Sequence, residues 1–410
     1  THELIRGAQL IGDRLCKLAI HNQGDVAWIG MSITPELKWV ISPLAENIYG
    51  GRAGIILFLA HLEKLTGDAK YRRLAEKAFF SLKKQLDRGS HDLFAIGAYS
   101  GWGGMLYLMV ELGQLWNQPN LIEEAKGYIP EMMRLLEKDQ YFDVLYGAAG
   151  GIVSLLALYE VSPEPGILEN ARVCGEYLLE HQTTADGGAK AWVVPMAGAK
   201  PLAGFSHGAA GTAWALFKLA QVCGDMRFAN AAKEAIRYER EIFCEDFGNW
   251  PDLRTMGTQR PSRHRDGLRF MNAWCHGASG VALGRLGTPE VFQDATYRDE
   301  IFTAIHTTRS NGFGGSHCLC HGDLGNLEMM HLASLRWKDT KLHEEVMQRA
   351  KGIVASFPKH GHLCGIPLGV ETPGMMNGLA GIGYQLIRLA KPDQVPSILI
   401  LESSSSLGST

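Results

Sequence analysis

Seven stretches of the chain repeat one pattern: a glycine, two further residues, a second glycine, and then a run that is apolar on most faces of a helix. They are YGGRAGIILFLA from Tyr49, YSGWGGMLYLM from Tyr99, YGAAGGIVSLL from Tyr146, SHGAAGTAWAL from Ser206, CHGASGVAL from Cys275, CHGDLGNLEMM from Cys320 and NGLAGIGYQLIRLA from Asn377. A helix apolar all round is one buried on every side. Between these runs lie segments with a different rhythm. In DAKYRRLAEKAFFSLKKQL, from Asp68, the residues Tyr71, Leu74, Ala75, Ala78, Phe79 and Leu82 recur at helical spacing with Lys and Arg elsewhere, which predicts a half-buried helix. Similar segments start near Asn120, Pro165, Asp225 and Lys341, with a weaker one near Pro289, and Gly67, Pro119 and Pro163 break the chain between elements.

The leading glycines are Gly51, Gly101, Gly147, Gly208, Gly277, Gly322 and Gly378, separated by as few as 45 residues (Gly277 to Gly322) and as many as 69 (Gly208 to Gly277). That spacing holds two helices per repeat. The first and last copies are as apolar as the middle ones, whereas an open solenoid needs polar terminal caps. The expected fold is therefore all-α: a closed α/α toroid, or double α-barrel, of seven inner and seven outer helices. It should occupy residues 1–390, followed by a C-terminal segment, 391–410, whose end, ESSSSLGST, reads as a solvated tail. Glycine at each inner-helix start suits a place where backbones converge, and the converging ends expose unpaired N–H groups and positive dipole ends.

Composition narrows the possibilities. Glycine takes 48 of 410 positions, well above its average of about 7%, as the repeats require. Forty Lys and Arg against 43 Asp and Glu leave a net charge of -3 with no basic block, which argues against nucleic-acid binding. No run reaches the roughly 18 apolar residues of a membrane span. The amino terminus, THELIRGAQLIGDRL, has no uninterrupted apolar core for a signal peptide, so a cytoplasmic location is expected. Eight cysteines are too sparse for a disulfide scaffold and read as reduced thiols.

Two neighbouring inner helices start with a Cys-His pair, Cys275-His276 and Cys320-His321. Thiolate and imidazole are ligands zinc prefers, and three protein ligands leave the fourth position open for catalysis. The spacing is unlike that of a zinc finger. Inert buried cysteine is the alternative, weakened because both pairs occupy the same place in their repeats. A glycoside hydrolase on an α/α barrel would need two carboxylates at its mouth, and only Asp143 and Asp323 stand out.

SHGAAG at 206–211, WCHGASG at 274–280, CHGDLGN at 320–326 and the seven glycine pairs resemble the lanthipeptide cyclase, or LanC-like, family over nearly the whole chain. GDVAWIG at 24–30, NIYGGRAGIILFLAHLEKLTGD at 47–68 and VPSILILE at 395–402 are similar to the carboxy-terminal cyclase domain of class II bifunctional lanthipeptide synthetases, the LanM type. This resemblance implies the same double α-barrel with one zinc ion (Zn2+) per chain, held by Cys275, Cys320 and His321, while His276 and Cys318 match no ligand position. It implies that His207 of the Ser-His-Gly motif transfers protons, partnered by Asp143 of DVLYGAAG. Stand-alone cyclases often carry an arginine where this chain has Met271; Arg269 is the nearby candidate for its role, and His276 stands where some members have tyrosine.

The implied activity is a zinc-dependent addition of precursor-peptide Cys thiols to dehydroalanine or dehydrobutyrine, giving lanthionine or methyllanthionine thioether rings. Metal-bound thiol would be deprotonated near neutral pH, and imidazole, here that of His207, is a side chain suited to the proton steps. Two alternatives share the fold: addition of glutathione to dehydroamino acids, and a peptide-binding scaffold whose zinc is structural. The expected partners are a dehydrated precursor peptide and a dehydratase, either joined to this chain or separate. A chain lacking an initiator methionine is expected to be an excised cyclase domain.

Overall fold

A computed structural model describes residues 1–33, 38–255 and 267–408. The chain forms two compact units, one of Thr1–Phe94, Gly104–Gly127 and Gly315–Thr410, the other of Ala95–Gly103 and Tyr128–Gly314. Every glycine-led run is a helix: Arg52–Thr66, Trp102–Leu115, Ala148–Val161, Ala209–Cys223, Ala278–Gly287, Asp323–Trp337 and Leu379–Ala390. Each begins directly after its leading glycine, and the residues that follow are buried on all faces, as from Arg52 to Leu62 and from Ala148 to Leu158.

The glycines have a more local purpose than convergence of helix ends. At most of these N-caps the backbone is ordinary extended chain, for example at Gly147 and Gly208, and what matters is space. The second glycine of a pair lies against its own leading loop: a Cβ at Gly211 would meet the carbonyl of Phe205, at Gly325 that of Leu319, and at Gly381 that of Met375. In each case the blocking carbonyl is six residues back, so one tight loop recurs before each of these helices. Gly277 differs, with φ +77°, a left-handed conformation that L side chains resist.

The amphipathic segments fold as expected. In the first unit Ala69–Asp87 packs on Arg52–Thr66 and Thr340–His360 on Asp323–Trp337; in the second, Pro165–Glu180 packs on Ala148–Val161, Met226–Glu241 on Ala209–Cys223 and Tyr297–Asn311 on Ala278–Gly287. A further amphipathic helix, not singled out from the sequence, is His2–Leu18, which packs on Leu379–Ala390.

The two helix types are capped differently. Asp68, Asp225 and Asp339 cap their own amphipathic helices, accepting from the amides of Lys70, Arg227 and Leu342, each cap being worth about 1 kcal/mol. Buried helices take acceptors from elsewhere. Asp139 accepts from Ala148 N at 2.7 Å, Glu239 from Ala210 N at 3.0 Å and Asn249 from Ala278 N at 2.8 Å. The Glu239 carboxylate is also paired with buried Arg285 at 2.8 Å. Arg285 also pairs with Glu300 at 2.7 Å, so the buried guanidinium is shared by two carboxylates.

Three two-stranded antiparallel hairpins lie outside this helical scheme: Ile20–Asn22 with Asp25–Ala27, Ile29–Ile33 with Trp39–Pro43, and Thr183–Thr184 with Lys190–Ala191. The serine-rich end is docked rather than solvated. Ser404 N and Oγ both donate to Glu111, at 3.0 and 2.6 Å, and Tyr107 donates its hydroxyl hydrogen to Glu402 O at 2.6 Å.

Candidate active site

The loop ahead of each buried helix sets one side chain immediately before the leading glycine, and in three successive repeats these are Tyr146, His207 and His276. In the second unit their rings form a ladder. Tyr146 and His207 have centroids 6.0 Å apart at 20°, and His207 and His276 are 6.1 Å apart at 28°. Recurring loops thus bring three rings that are 61 and 69 residues apart in sequence into one stack.

Asp143 ties two of these loops together. Its Oδ1 accepts from Tyr146 N at 2.7 Å and Gly147 N at 3.1 Å, while Oδ2 lies 2.7 Å from His207 Nδ1. The spacing of D-x-x-x-G follows from this geometry: a side chain at 147 would collide with the backbone of Phe142 and Asp143, so only glycine lets its amide reach the carboxylate. An ionised carboxylate can only accept, so Nδ1–H of His207 donates to it and Nε2 is left as the basic nitrogen. Asp143 is 1% exposed, whereas the His207 side chain is 11% exposed. The pair joins a buried orienting group to an imidazole that solvent or a ligand can reach.

Asp139 was not singled out from the sequence. It accepts from Tyr141 N at 2.8 Å as well as from Ala148 N. Burial, assisted by the nearby Asp143 charge and opposed by these amides, pushes its pKa up to about 6.

His276 is buried, and neither ring nitrogen makes a well-formed hydrogen bond. The Ala203 backbone nevertheless lies close enough to favour the charged ring. Burial first, then the positive charge of Arg254, brings the His276 pKa down to about 3. Arg254 grips Asp252 through Nε at 2.9 Å and Nη2 at 2.7 Å, and Nη2 is also 3.1 Å from Met271 Sδ. Burial works against the Asp252 charge, but the hydrogen bonds and charge of Arg254 and the proximity of His276 together outweigh it and hold the carboxyl below its ordinary pKa. Arg269 instead donates from Nη2 to the Arg254 carbonyl at 3.2 Å. The guanidinium beside Met271 is therefore that of Arg254.

The three expected metal ligands divide between the units. Cys275, next to His276, is buried in the second unit. In the first, Cys320 is buried and His321 exposed. Cys320 Sγ accepts from Tyr49 Oη at 3.1 Å, and that oxygen accepts from Asn377 Nδ2 at 3.3 Å. His321 interacts with Cys318: burial would raise the Cys318 thiol, but the charge of His321 and hydrogen bonds from His321 and the Ser316 hydroxyl bring its pKa below the ordinary value. A Cβ at Gly365 would collide with Cys318 Sγ and reach 3.0 Å from His321 Nε2. None of the eight cysteines forms a disulfide. Among the described residues, no group of three or more His, Cys, Asp or Glu is arranged to hold a metal ion. The fit to zinc rests on donor chemistry, two thiols and an imidazole, and on a Cys320 sulfur that already serves as a hydrogen-bond acceptor.

Glycine-capped helices with a carboxylate-oriented histidine at one helix start and Cys-His pairs at two others define an all-α protein built on one repeated loop-and-helix unit. A family model described as "Lanthionine synthetase C-like protein" matches residues 42–400, and the chain belongs to that family. It is 22% identical over 383 residues to the lacticin 481/lactococcin biosynthesis protein LcnDR2 of Lactococcus lactis subsp. lactis, with 89% of this chain matched to 38% of the relative. The chain thus spans well under half the length of that protein. Among solved structures it is similar to nisin cyclase, with a TM-score of 0.70 and 18% identity over 87% of this chain and 92% of the other. That likeness shows the all-α toroid class expected from the repeats. No described helix is long and apolar enough to cross a membrane.

Proposed function

We propose that this chain is a lanthipeptide cyclase, adding cysteine thiols of a dehydrated precursor peptide to dehydroalanine or dehydrobutyrine to form thioether rings. The observation that carries the reading is the 2.7 Å contact between Asp143 and His207 in a member of the LanC-like family. It leaves Nε2 of a partly exposed imidazole for proton transfer. Thiolate sulfur bonds to the β-carbon as the Cα–Cβ π bond breaks, and the electron pair passes to the enolate of the adjoining carbonyl. His207, protonated at Nε2, gives a proton to the α-carbon and regains one from the next substrate thiol, so a full turnover conserves protons. Asp143 fixes the tautomer and stabilises the imidazolium.

Cys275, Cys320 and His321 would hold one zinc ion per chain. When bound, zinc supplies a Lewis acid that keeps a substrate thiol deprotonated near neutral pH. A dehydratase, joined or separate, must act first to supply the alkene, and the cytoplasm is the compartment where both partners' thiols stay reduced. The test is to incubate a dehydrated, cysteine-containing peptide with the protein, alkylate the remaining thiols and weigh the product. Loss of alkylation at unchanged peptide mass supports the reading. Full alkylation after prolonged incubation with zinc-loaded protein rejects it.

A further inference from the structure

Two of the proposed metal ligands, Cys275 and Cys320, stand two residues before a leading glycine, Gly277 and Gly322, and Tyr49 stands at the same place before Gly51. The repeat gives the tyrosine the same backbone station as the two cysteines. In the first unit its hydroxyl donates to Cys320 Sγ at 3.1 Å, within the reach of an O–H···S bond. The hydroxyl oxygen is occupied in turn by Asn377 Nδ2 at 3.3 Å. Asn377, immediately before Gly378, can only donate through that nitrogen, so the tyrosine hydrogen is directed at sulfur. The backbone locks the arrangement: Met376 N donates to Tyr49 O at 2.7 Å, and Cys320 N to Met376 O at 2.9 Å.

We propose that Tyr49 is a positioning residue for the metal, acting through Cys320: its hydroxyl holds the sulfur in place and draws electron density from it. The inference rests on the reading of Cys320 as a zinc ligand. A site with two thiolates is electron-rich, and a hydrogen bond to one of them lowers its donation to the metal, leaving the ion a stronger Lewis acid toward substrate thiol. Outer partners of this kind are worth about ten- to hundredfold in metal affinity or activity. No bond is made or broken at Tyr49, and Asn377 serves only to orient it.

The experiment compares wild type with Tyr49→Phe and Asn377→Ala, using zinc and cobalt(II) as probes without peptide. Zinc affinity is read by competition with a chromophoric chelator, and the thiolate-to-cobalt charge-transfer band by absorption. Tyr49→Phe keeps the ring and its packing, so helical circular dichroism should be unchanged. With the sulfur no longer held in place, its zinc affinity should fall about ten- to hundredfold, and the charge-transfer band should move to lower energy because the sulfur, freed of the hydrogen bond, is more electron-rich. Asn377→Ala should move both quantities the same way by less. Wild-type affinity and band position in Tyr49→Phe overturn the inference. Failure of the wild type itself to bind either metal overturns instead the assignment of Cys320 as a ligand. Lower affinity with an unmoved band leaves Tyr49 a packing residue and also counts against the proposal.

Discussion

Replacing Asp143 separates its two duties, because each carboxylate oxygen serves a different partner. Oδ1 satisfies the amides of Tyr146 and Gly147, and Oδ2 orients His207. Asp143→Asn can keep Oδ1 in place while presenting an NH2 group to Nδ1. That forces the imidazole proton onto Nε2 and removes the basic nitrogen. Asp143→Ala loses both duties and strands the Tyr146 amide at about 1–3 kcal/mol, while Gly147 N keeps the Asp143 backbone carbonyl at 3.1 Å. Both variants should therefore form rings about 10²- to 10⁴-fold more slowly, the range for a disabled general acid–base group. The asparagine variant should lose only about 1 kcal/mol of stability. Ring formation by thiol alkylation and mass measurement, alongside urea unfolding, gives both quantities. His207→Ala and the Asp143→Asn, His207→Ala double variant should be nearly as slow as each other, since the two residues act as a unit. Wild-type turnover in Asp143→Asn, or equal destabilisation by asparagine and alanine, would show that the two oxygens do not have separate duties.

Asp139, with a pKa of about 6 against an ordinary 3.8, holds its proton more tightly folded than unfolded. Its contribution to stability is thus greatest below pH 3.8 and declines as pH rises toward 6, by about 2–3 kcal/mol; Asp139→Asn should flatten that part of the stability–pH curve measured by urea unfolding. Glu239→Ala leaves the buried Arg285 with only Glu300, at 2.7 Å, as its carboxylate partner and strands the amides of Gly204 and Ala210. The two stranded amides should cost about 2–6 kcal/mol together, read as a lowered unfolding midpoint. Cys275→Ala and Cys320→Ala should each lose most zinc by metal analysis, while the metal-free wild type keeps its helical circular dichroism because the buried helices pack through their own apolar faces.

The helices were legible because their signals are local. A Gly-x-x-Gly pair followed by an all-apolar run identifies a tight loop and a buried helix wherever it occurs, and Asp68, Asp225 and Asp339 announce the amphipathic helices they cap. The partnership of Asp143 and His207, 64 residues apart, came from family resemblance, since nothing local links them. Glu239 and Asn249 escaped notice for the same reason: they cap helices from 29 residues away in sequence, and an acceptor supplied from that distance leaves no local signature. Arg254 was hidden because the chain itself, not helical periodicity, carries it to Met271. The serine-rich end read as solvated because its composition is that of a tail, whereas buried Glu111 needs the donors that Ser404 supplies.

The central claim is that His207, oriented by Asp143, moves protons during thioether formation. The most direct measurement is the single-turnover rate of ring closure on a dehydrated peptide by wild type and His207→Ala, both with verified equal zinc content. The wild type should form rings and His207→Ala should do so at a rate about 10²- to 10⁴-fold lower, with zinc unchanged. Equal rates in the two proteins would contradict it.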